Sequence, residues 1–258
     1  MSKKIKKAIL YIIAFFVVLY ILIVSAPFIK TLVTTSNLDQ DFNCGNTIYD
    51  TDSNSYGTVQ IGNQCWMADN LNIGTKITSC TGGYAGICTD GGDTVQNQTN
   101  NSTIEKYCYS DSDANCTSEG GLYQWDEMMQ YTETEGVQGI CPTGWHIPTD
   151  AEQNTLDQYL ATGTCDADRS GVWDCDPAGT KMSNETLNGS NSSGFNAILS
   201  GNRNASGAFR GLSSSAYFWS SSFSGSNAWS RDLRSSYSAV HRAAYDQANG
   251  FSVRCLLD

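Results

Sequence analysis

The sequence predicts an α+β domain with two main helices, many short strands and a high disulfide content, preceded by one transmembrane helix. Three observations predict this class. An uncharged apolar run stands near the N-terminus, all ten cysteines follow it, and apolar residues recur at helical spacing in two later segments. The 258 residues have room for a membrane segment and one domain of roughly 200 residues. We expect a cytoplasmic basic tail at 1–7, an anchor at 8–29, a stalk at 30–43 and the domain at 44–258.

The apolar run at residues 8–29 is long enough to cross a membrane as a helix. It would extend about 33 Å, against a hydrocarbon core of about 30 Å. A cleaved signal peptide is the alternative, but the run exceeds the usual apolar core of such peptides, and Pro27 follows the small-residue site. Four lysines among the first seven residues, against one at position 30, favour a cytoplasmic N-terminus. We therefore predict a single-pass protein of the cell membrane with its domain outside.

Short strands and a long loop are predicted for the first part of the domain. Val59 and Ile61 predict a strand, the 62–63 pair Gly-Asn predicts a turn, and a second short strand runs through Trp66. Residues 72–101 are rich in Gly, Thr and Asn and predict a surface loop.

Two segments have the pattern of amphipathic helices. Trp125, Met128 and Met129 recur at i, i+3 and i+4, which is typical of a helix packed on a core. Thr149 and Glu152 form a capping box, in which each side chain bonds a free backbone amide at a helix start. Three later residues are expected on the inner face of this second helix: Leu156, Tyr159 and Leu160.

The C-terminal part predicts strands and ordered loops. From Gly194 onward, Gly, Ser, Asn and aromatic residues predominate with no helical period. Residues 251–257 alternate apolar and other side chains, which predicts a strand with one buried face.

Five sequence blocks follow one another in a recognisable order. They are TVQIGNQCWMADNLN at 58–72, GLYQWDEMM at 121–129, CPTGWHIPTDAE at 141–152, WSSS at 219–222 and GFSVRC at 250–255. In these blocks the chain resembles the Fibrobacter succinogenes major paralogous domain, and the resemblance covers most of residues 44–258. The family usually has Trp where this chain has Gln153.

A more distant resemblance concerns the fold. The blocks WHIPTDAE and GFSVR are similar to blocks of the formylglycine-generating sulfatase-modifying domains. Those domains share the C-type-lectin-like roll, so the resemblance implies that roll as the fold of residues 44–258. It implies no activity, because their reactive cysteine pair has no counterpart here.

An even number of cysteines in an exported domain predicts up to five disulfides. Three pairs are close in sequence. The resemblance implies that Cys141 and Cys255, which stand in two of the family's blocks, belong to one domain. The expected pairs are Cys80 with Cys88, Cys108 with Cys116, Cys165 with Cys175, Cys141 with Cys255, and the remaining Cys44 with Cys65.

Charge and motif content argue against two functional classes. With 26 acidic and 15 basic residues the net charge is −11, so a nucleic-acid partner is not expected, since phosphate binding needs a basic surface. His146 and His241 are the only histidines, and no HExxH, GxSxG, Walker or GxGxxG motif occurs. Cys141 lies five residues before His146, but an exported cysteine with a partner is expected in a disulfide. We therefore predict that the protein is not an enzyme.

One loop has part of the spacing of a calcium site. Oxygen-bearing side chains stand at positions 1, 3, 5 and 9 of the pattern: Asp166, Asp168, Ser170 and Asp174. Pro177 occupies the position of the bidentate glutamate. We expect no cofactor, with structural calcium at this loop as a secondary hypothesis.

Aromatic side chains in the C-terminal half are the candidate ligand contacts. Pyranose rings stack their apolar faces on Trp and Tyr while neighbouring Asp, Asn and Arg bond the hydroxyls. Six residues form the predicted binding set: Trp173, Trp229, Tyr237, Tyr245, Arg231 and Asp232.

The sequence thus favours a membrane-anchored extracytoplasmic binding or adhesion module. Its expected partners are the membrane, through the N-terminal helix, and an extracellular glycan or a surface protein, with glycan favoured. The alternative is a structural or protein-interaction component of the cell envelope. An enzyme is the least favoured class.

Overall fold

Strands, rather than helices, make up most of the regular structure. The computed structural model describes residues 42–81, 88, 93–184 and 189–258, of which 33% lie in strands and 15% in helices. Every described element belongs to one unit, Cys44–Asp258.

The predicted α+β class with two main helices is wrong, because the fold is mostly β. The described residues form four α-helices: α1 (Asp113–Glu119), α2 (Trp125–Met128), α3 (Asp150–Leu160) and α4 (Ala178–Met182). Only α3, with 11 residues, exceeds two turns. The first predicted helix is the single turn α2, which stops because Gln130 and Tyr131 have positive φ values of 52° and 58°.

The membrane part of the prediction is also corrected. No helix in the described ranges is long and apolar enough to cross a membrane. The predicted anchor at 8–29 lies outside the described residues, as do the tail and nearly all of the stalk. In place of the predicted fold class with a transmembrane helix and the single-pass location in the cell membrane, the described residues form a disulfide-rich domain, which is typical of the extracellular space or the periplasm.

Sixteen strands occur in the described residues. In chain order they are β1 (Ile48–Tyr49), β2 (Ser55–Tyr56), β3 (Thr58–Ile61), β4 (Gln64–Met67), β5 (Thr75–Lys76), β6 (Cys80–Thr81), β7 (Thr94–Val95), β8 (Glu105–Lys106), β9 (Trp145–His146), β10 (Val172–Asp174), β11 (Ser200–Arg203), β12 (Phe209–Leu212), β13 (Ser215–Ser224), β14 (Asn227–Arg234), β15 (Val240–Asp246) and β16 (Leu256–Leu257).

Two sheets contain ten of these strands, and the other six form the two-stranded sheets β1-β2, β5-β8 and β6-β7. The larger has the order β10-β15-β14-β13-β11-β12, and the smaller has the order β3-β4-β16-β9. Within the larger sheet β11 and β13 are parallel and the other pairs are antiparallel. The predicted hairpin on either side of residues 62–63 is confirmed, since β3 pairs with β4.

The two faces of the larger sheet pack against different parts of the chain. Successive strand residues point to opposite faces. Phe218 and Leu233 belong to a core cluster with Leu156 of α3, so we call their side the helix face. Trp219 points the other way and belongs to a second cluster with Trp125 of α2. We call this side the opposite face.

Helix α3 begins as its sequence predicts but buries a different face. The capping box is confirmed, with Thr149 and Glu152 each bonding the other's backbone N–H. Leu156 and Leu160 are buried, whereas Tyr159 is 64% exposed. The prediction for Tyr159 was wrong because polar residues of α3 occupy the interior, including Asp157.

Buried ion pairs hold α3 on the helix face. Asp157 Oδ2 lies 2.6 Å from both Arg169 Nη2 and Arg231 Nε. Asp150 Oδ1 lies 2.7 Å from Arg231 Nη1, and its Oδ2 lies 2.7 Å from Arg242 Nη2. Since Arg231 and Arg242 belong to β14 and β15, these pairs fix the helix to the two strands that also carry the candidate site.

The C-terminal segment is interior on both sides, so the prediction of one buried face was wrong. Ser252 and Arg254 are as buried as Phe251 and Val253. Arg254 is accommodated because its guanidinium donates to Asn70 Oδ1 at 2.6 Å and to backbone carbonyl oxygens. The regular strand is limited to β16.

All five expected disulfides are present in the structure. They join Cys44 to Cys65, Cys80 to Cys88, Cys108 to Cys116, Cys141 to Cys255 and Cys165 to Cys175. The Cys141–Cys255 bond spans 114 residues of sequence and ties the segment before β9 to the chain end.

Candidate functional site

A row of four side chains crosses the opposite face of the larger sheet. Strand register places Trp173 opposite His241, His241 opposite Asp232, and Asp232 opposite Tyr217. Directly opposed residues of antiparallel strands point to the same face with short separations. Four strands, β10, β15, β14 and β13, therefore each contribute one side chain to the row.

Asp232 is the polar centre of this row. Its side chain is 0% exposed, and its Oδ2 accepts a 2.7 Å hydrogen bond from the Tyr245 hydroxyl and lies 3.0 Å from His241 Nδ1. Burial of Tyr245, reinforced by the charge of Asp232, raises the pKa of that hydroxyl well above its ordinary value. Asp232 Oδ1 has no hydrogen-bond partner among the described residues.

An aromatic stack extends from the row toward solvent. The Trp173 and Tyr237 rings lie 4.2 Å apart with an interplanar angle of 8°, and the Trp173 and His241 rings lie 5.0 Å apart. The Arg234 guanidinium is 5.4 Å from the centre of the Trp173 ring. Tyr237 is 48% exposed and forms the outer end of the stack. We call Trp173, Tyr237, His241 and Arg234 the aromatic patch.

A polar pocket of about 260 Å³ adjoins the aromatic patch. It is lined by Arg234 at the end of β14, by residues 235–238 of the connection to β15, and by Thr180, Ser183 and Gly189. Hydroxyl groups predominate in this lining. An aromatic surface and hydrogen-bonding hydroxyls therefore meet at one place.

Two other surface pockets lack an accessible ring among their described lining residues. One of about 410 Å³ includes Asp69 and Glu119, and its aromatic residue, Tyr56, is buried. The other, of about 240 Å³, includes Asp126 and Glu127 and has no aromatic lining residue. Of these three pockets, the one beside the aromatic patch is best suited to an amphipathic ligand.

The structure brings together four of the six residues in the predicted binding set. Trp173, Asp232, Tyr237 and Tyr245 lie on the opposite face or beside it.

The other two lie on the helix face, because odd and even positions of β14 point in opposite directions. Arg231 is buried with Asp157 and Asp150. Trp229 is partly buried, and the Arg242 guanidinium lies 3.6 Å from its ring centre.

Arg234, His241 and Tyr217 belong to the site but not to the predicted set. Arg234 follows Asp232 by two residues, so strand periodicity was a signal that could have found it. His241 and Tyr217 meet Asp232 only through strand register, which their local sequence does not specify.

The predicted calcium residues serve as turn residues. Asp174 Oδ2 accepts the Asp166 backbone N–H at 2.9 Å, and Asp166 Oδ1 accepts that of Asp168 at 2.9 Å. The hydrogen bond from the Asp166 N–H, opposed by slight burial, lowers the pKa of Asp174. Asp168 and Ser170 are exposed. In the described part of the chain, no group of three or more His, Cys, Asp or Glu residues could hold a metal ion.

Comparison with known proteins gives one family. The model of the Fibrobacter succinogenes major domain matches residues 59–256. No curated protein and no solved structure matches the chain significantly. The resemblance to the C-type-lectin-like roll and to the formylglycine-generating domains is not confirmed.

Proposed function

The chain belongs to the Fibrobacter succinogenes major domain family, and from this membership and the aromatic patch we propose that the domain binds extracellular glycan. The family and the disulfides indicate an extracellular or surface-associated module. The proposal adds the ligand class and the place where the ligand binds.

The observation that carries the proposal is the position of Tyr237. One face of its ring rests on Trp173 at 4.2 Å, and the residue is half exposed. A tyrosine held in this way gives a sugar ring a preorganised apolar surface with little ordering cost. The hydroxyl-lined pocket beside it supplies hydrogen-bonding groups for the polar edge of the same sugar.

We further propose that binding needs neither catalysis nor a cofactor. The two histidines are engaged with carboxylates, His146 with Glu152 and Asp258, and His241 with Asp232. Both are therefore suited to structural roles.

A glycan array with the purified full-length protein tests the proposal. Tyr237→Ala should weaken binding by about 1–3 kcal/mol, the usual effect of losing an anchoring aromatic. Tyr49→Ala, which removes an equally large and mostly exposed ring from β1, is the control and should bind like the wild type. Tyr49→Ala should melt at the wild-type temperature, and Tyr237→Ala should melt about 1–6 °C lower, because it loses the stacking contact with Trp173.

The alternative, a structural or protein-interaction component of the cell envelope, has its own outcome. Self-assembly or binding to surface protein, with no binding to any glycan on the array, would replace the glycan proposal with this alternative.

A further inference from the structure

Building on the proposed glycan function, we propose that the sugar unit bound beside the aromatic patch is acidic, and that Arg234 binds its carboxylate or sulfate group. The glycan is thereby specified as negatively charged, and Arg234 is the residue that selects for this charge.

The first support is the distribution of charge around the pockets. Arg234 is the only charged side chain among the described residues that line the pocket beside the patch, and none of them is acidic. The two other surface pockets each contain two carboxylates, Asp69 with Glu119 and Asp126 with Glu127. In a chain with 26 acidic and 15 basic residues, the described lining of this pocket is therefore better suited to an anion than that of the other two.

The second support is the state of the Arg234 side chain. It is 40% exposed, and the nearest carboxylate oxygen among the described residues, Asp232 Oδ2, lies 4.0 Å away, beyond hydrogen-bond distance. That oxygen already interacts with Tyr245 and His241. Arg234 Nε is buried, so an anionic ligand would bind the Nη groups. A guanidinium has five N–H donors in a fixed fork that fits a carboxylate or sulfate, so Arg234 retains capacity for an anionic ligand.

The third support is size and position. The pocket, at about 260 Å³, is smaller than the roughly 300–1,000 Å³ of pockets for drug-sized ligands, so it suits one sugar unit. Arg234 and Tyr237 both line it. A ring stacked on Tyr237 can therefore direct its acidic substituent toward Arg234 while Ser236 and Ser238, both exposed, face its hydroxyls.

The test compares matched oligosaccharides by calorimetry on the full-length protein. The ligands are trigalacturonate, its neutral methyl ester and a 6-sulfated galactotriose. We expect trigalacturonate or the sulfated trisaccharide to bind at least tenfold tighter than the methyl ester, and the better of the two identifies the acidic group.

Variants separate charge from packing. Arg234→Gln should remove the preference for the acidic ligand, so that acid and methyl ester bind with similar affinity, and Arg234→Lys should retain part of the preference. Arg210→Gln is the control, because Arg210 is exposed on β12 at the far edge of the larger sheet, and it should change neither affinity. Melting temperatures verify that each variant is folded.

The outcomes distinguish this inference from the proposed function. Equal affinity for the acid and its ester, or an acid preference that survives in Arg234→Gln, overturns the role of Arg234 and leaves glycan binding in place. Absence of binding to all three ligands and to the glycan array overturns the proposed function itself.

Discussion

Substituting Asp157 by asparagine should destabilise the domain severely. The change keeps the shape of the side chain and removes its charge. Asp157 is fully buried, and its Oδ2 lies 2.6 Å from both Arg169 and Arg231, whose guanidinium groups are also buried. The variant would leave two interior cations with one fewer counter-charge.

The magnitude follows from the geometry. Removing one partner of a buried ion pair costs about 3–5 kcal/mol, because the remaining charge stays desolvated without compensation. For a domain of this size each kcal/mol lowers the melting temperature by about 2–4 °C, so the expected fall is about 6–20 °C.

Thermal unfolding followed by circular dichroism measures this effect. The control is Asp166→Asn, the same chemical change at an exposed carboxylate, which should alter stability by no more than about 0.5 kcal/mol. Equal melting temperatures for the two variants would refute the reasoning that the network holds α3 on the larger sheet.

Two further predictions concern pH and the long disulfide. Hydrogen bonding to Glu152, opposed by burial and aided by Asp258, raises the pKa of His146 above 6.5. Burial of Glu152 would raise the pKa of its carboxyl, but hydrogen bonds from His146 and Thr149 outweigh it and lower that pKa to about 2. The histidine contribution to stability is therefore complete below pH 6.5 and lost as pH rises through the raised value, whereas the glutamate contribution is present above pH 4.5 and lost as pH falls toward 2. Denaturant titrations should show both losses, and a His146→Gln variant that keeps the alkaline loss would exclude this cause. Breaking the Cys141–Cys255 bond by a double serine substitution should cost about 4–5 kcal/mol in the chain-entropy model, and an alkylatable Cys141 in the wild-type protein would contradict the bond.

Local features were predictable from the sequence because local residues determine them. The capping box at Thr149 and Glu152 depends on four consecutive residues, and the β3–β4 hairpin depends on the turn at 62–63. The disulfide pairs followed from cysteine spacing and family order. The inner face of α3 was mispredicted because its buried Asp157 is compensated by Arg231, which lies in a distant strand.

The candidate site was only partly predictable, because its contacts also join residues that are distant in sequence. Trp173 meets His241 because β10 pairs with β15, and no pattern within either strand specifies its partner. The sequence could have predicted that Arg231 and Asp232 lie on opposite faces of the sheet, since neighbours in a strand point to opposite faces. The sequence did not show which of the two faces α3 covers, because that depends on the tertiary fold.

The most direct test of glycan binding at the aromatic patch is a crystal structure of the full-length protein with trigalacturonate. We expect a sugar ring stacked on Tyr237 with its carboxylate on Arg234. A ligand seated instead in the pocket containing Asp69 and Glu119, or in the one containing Asp126 and Glu127, would contradict it.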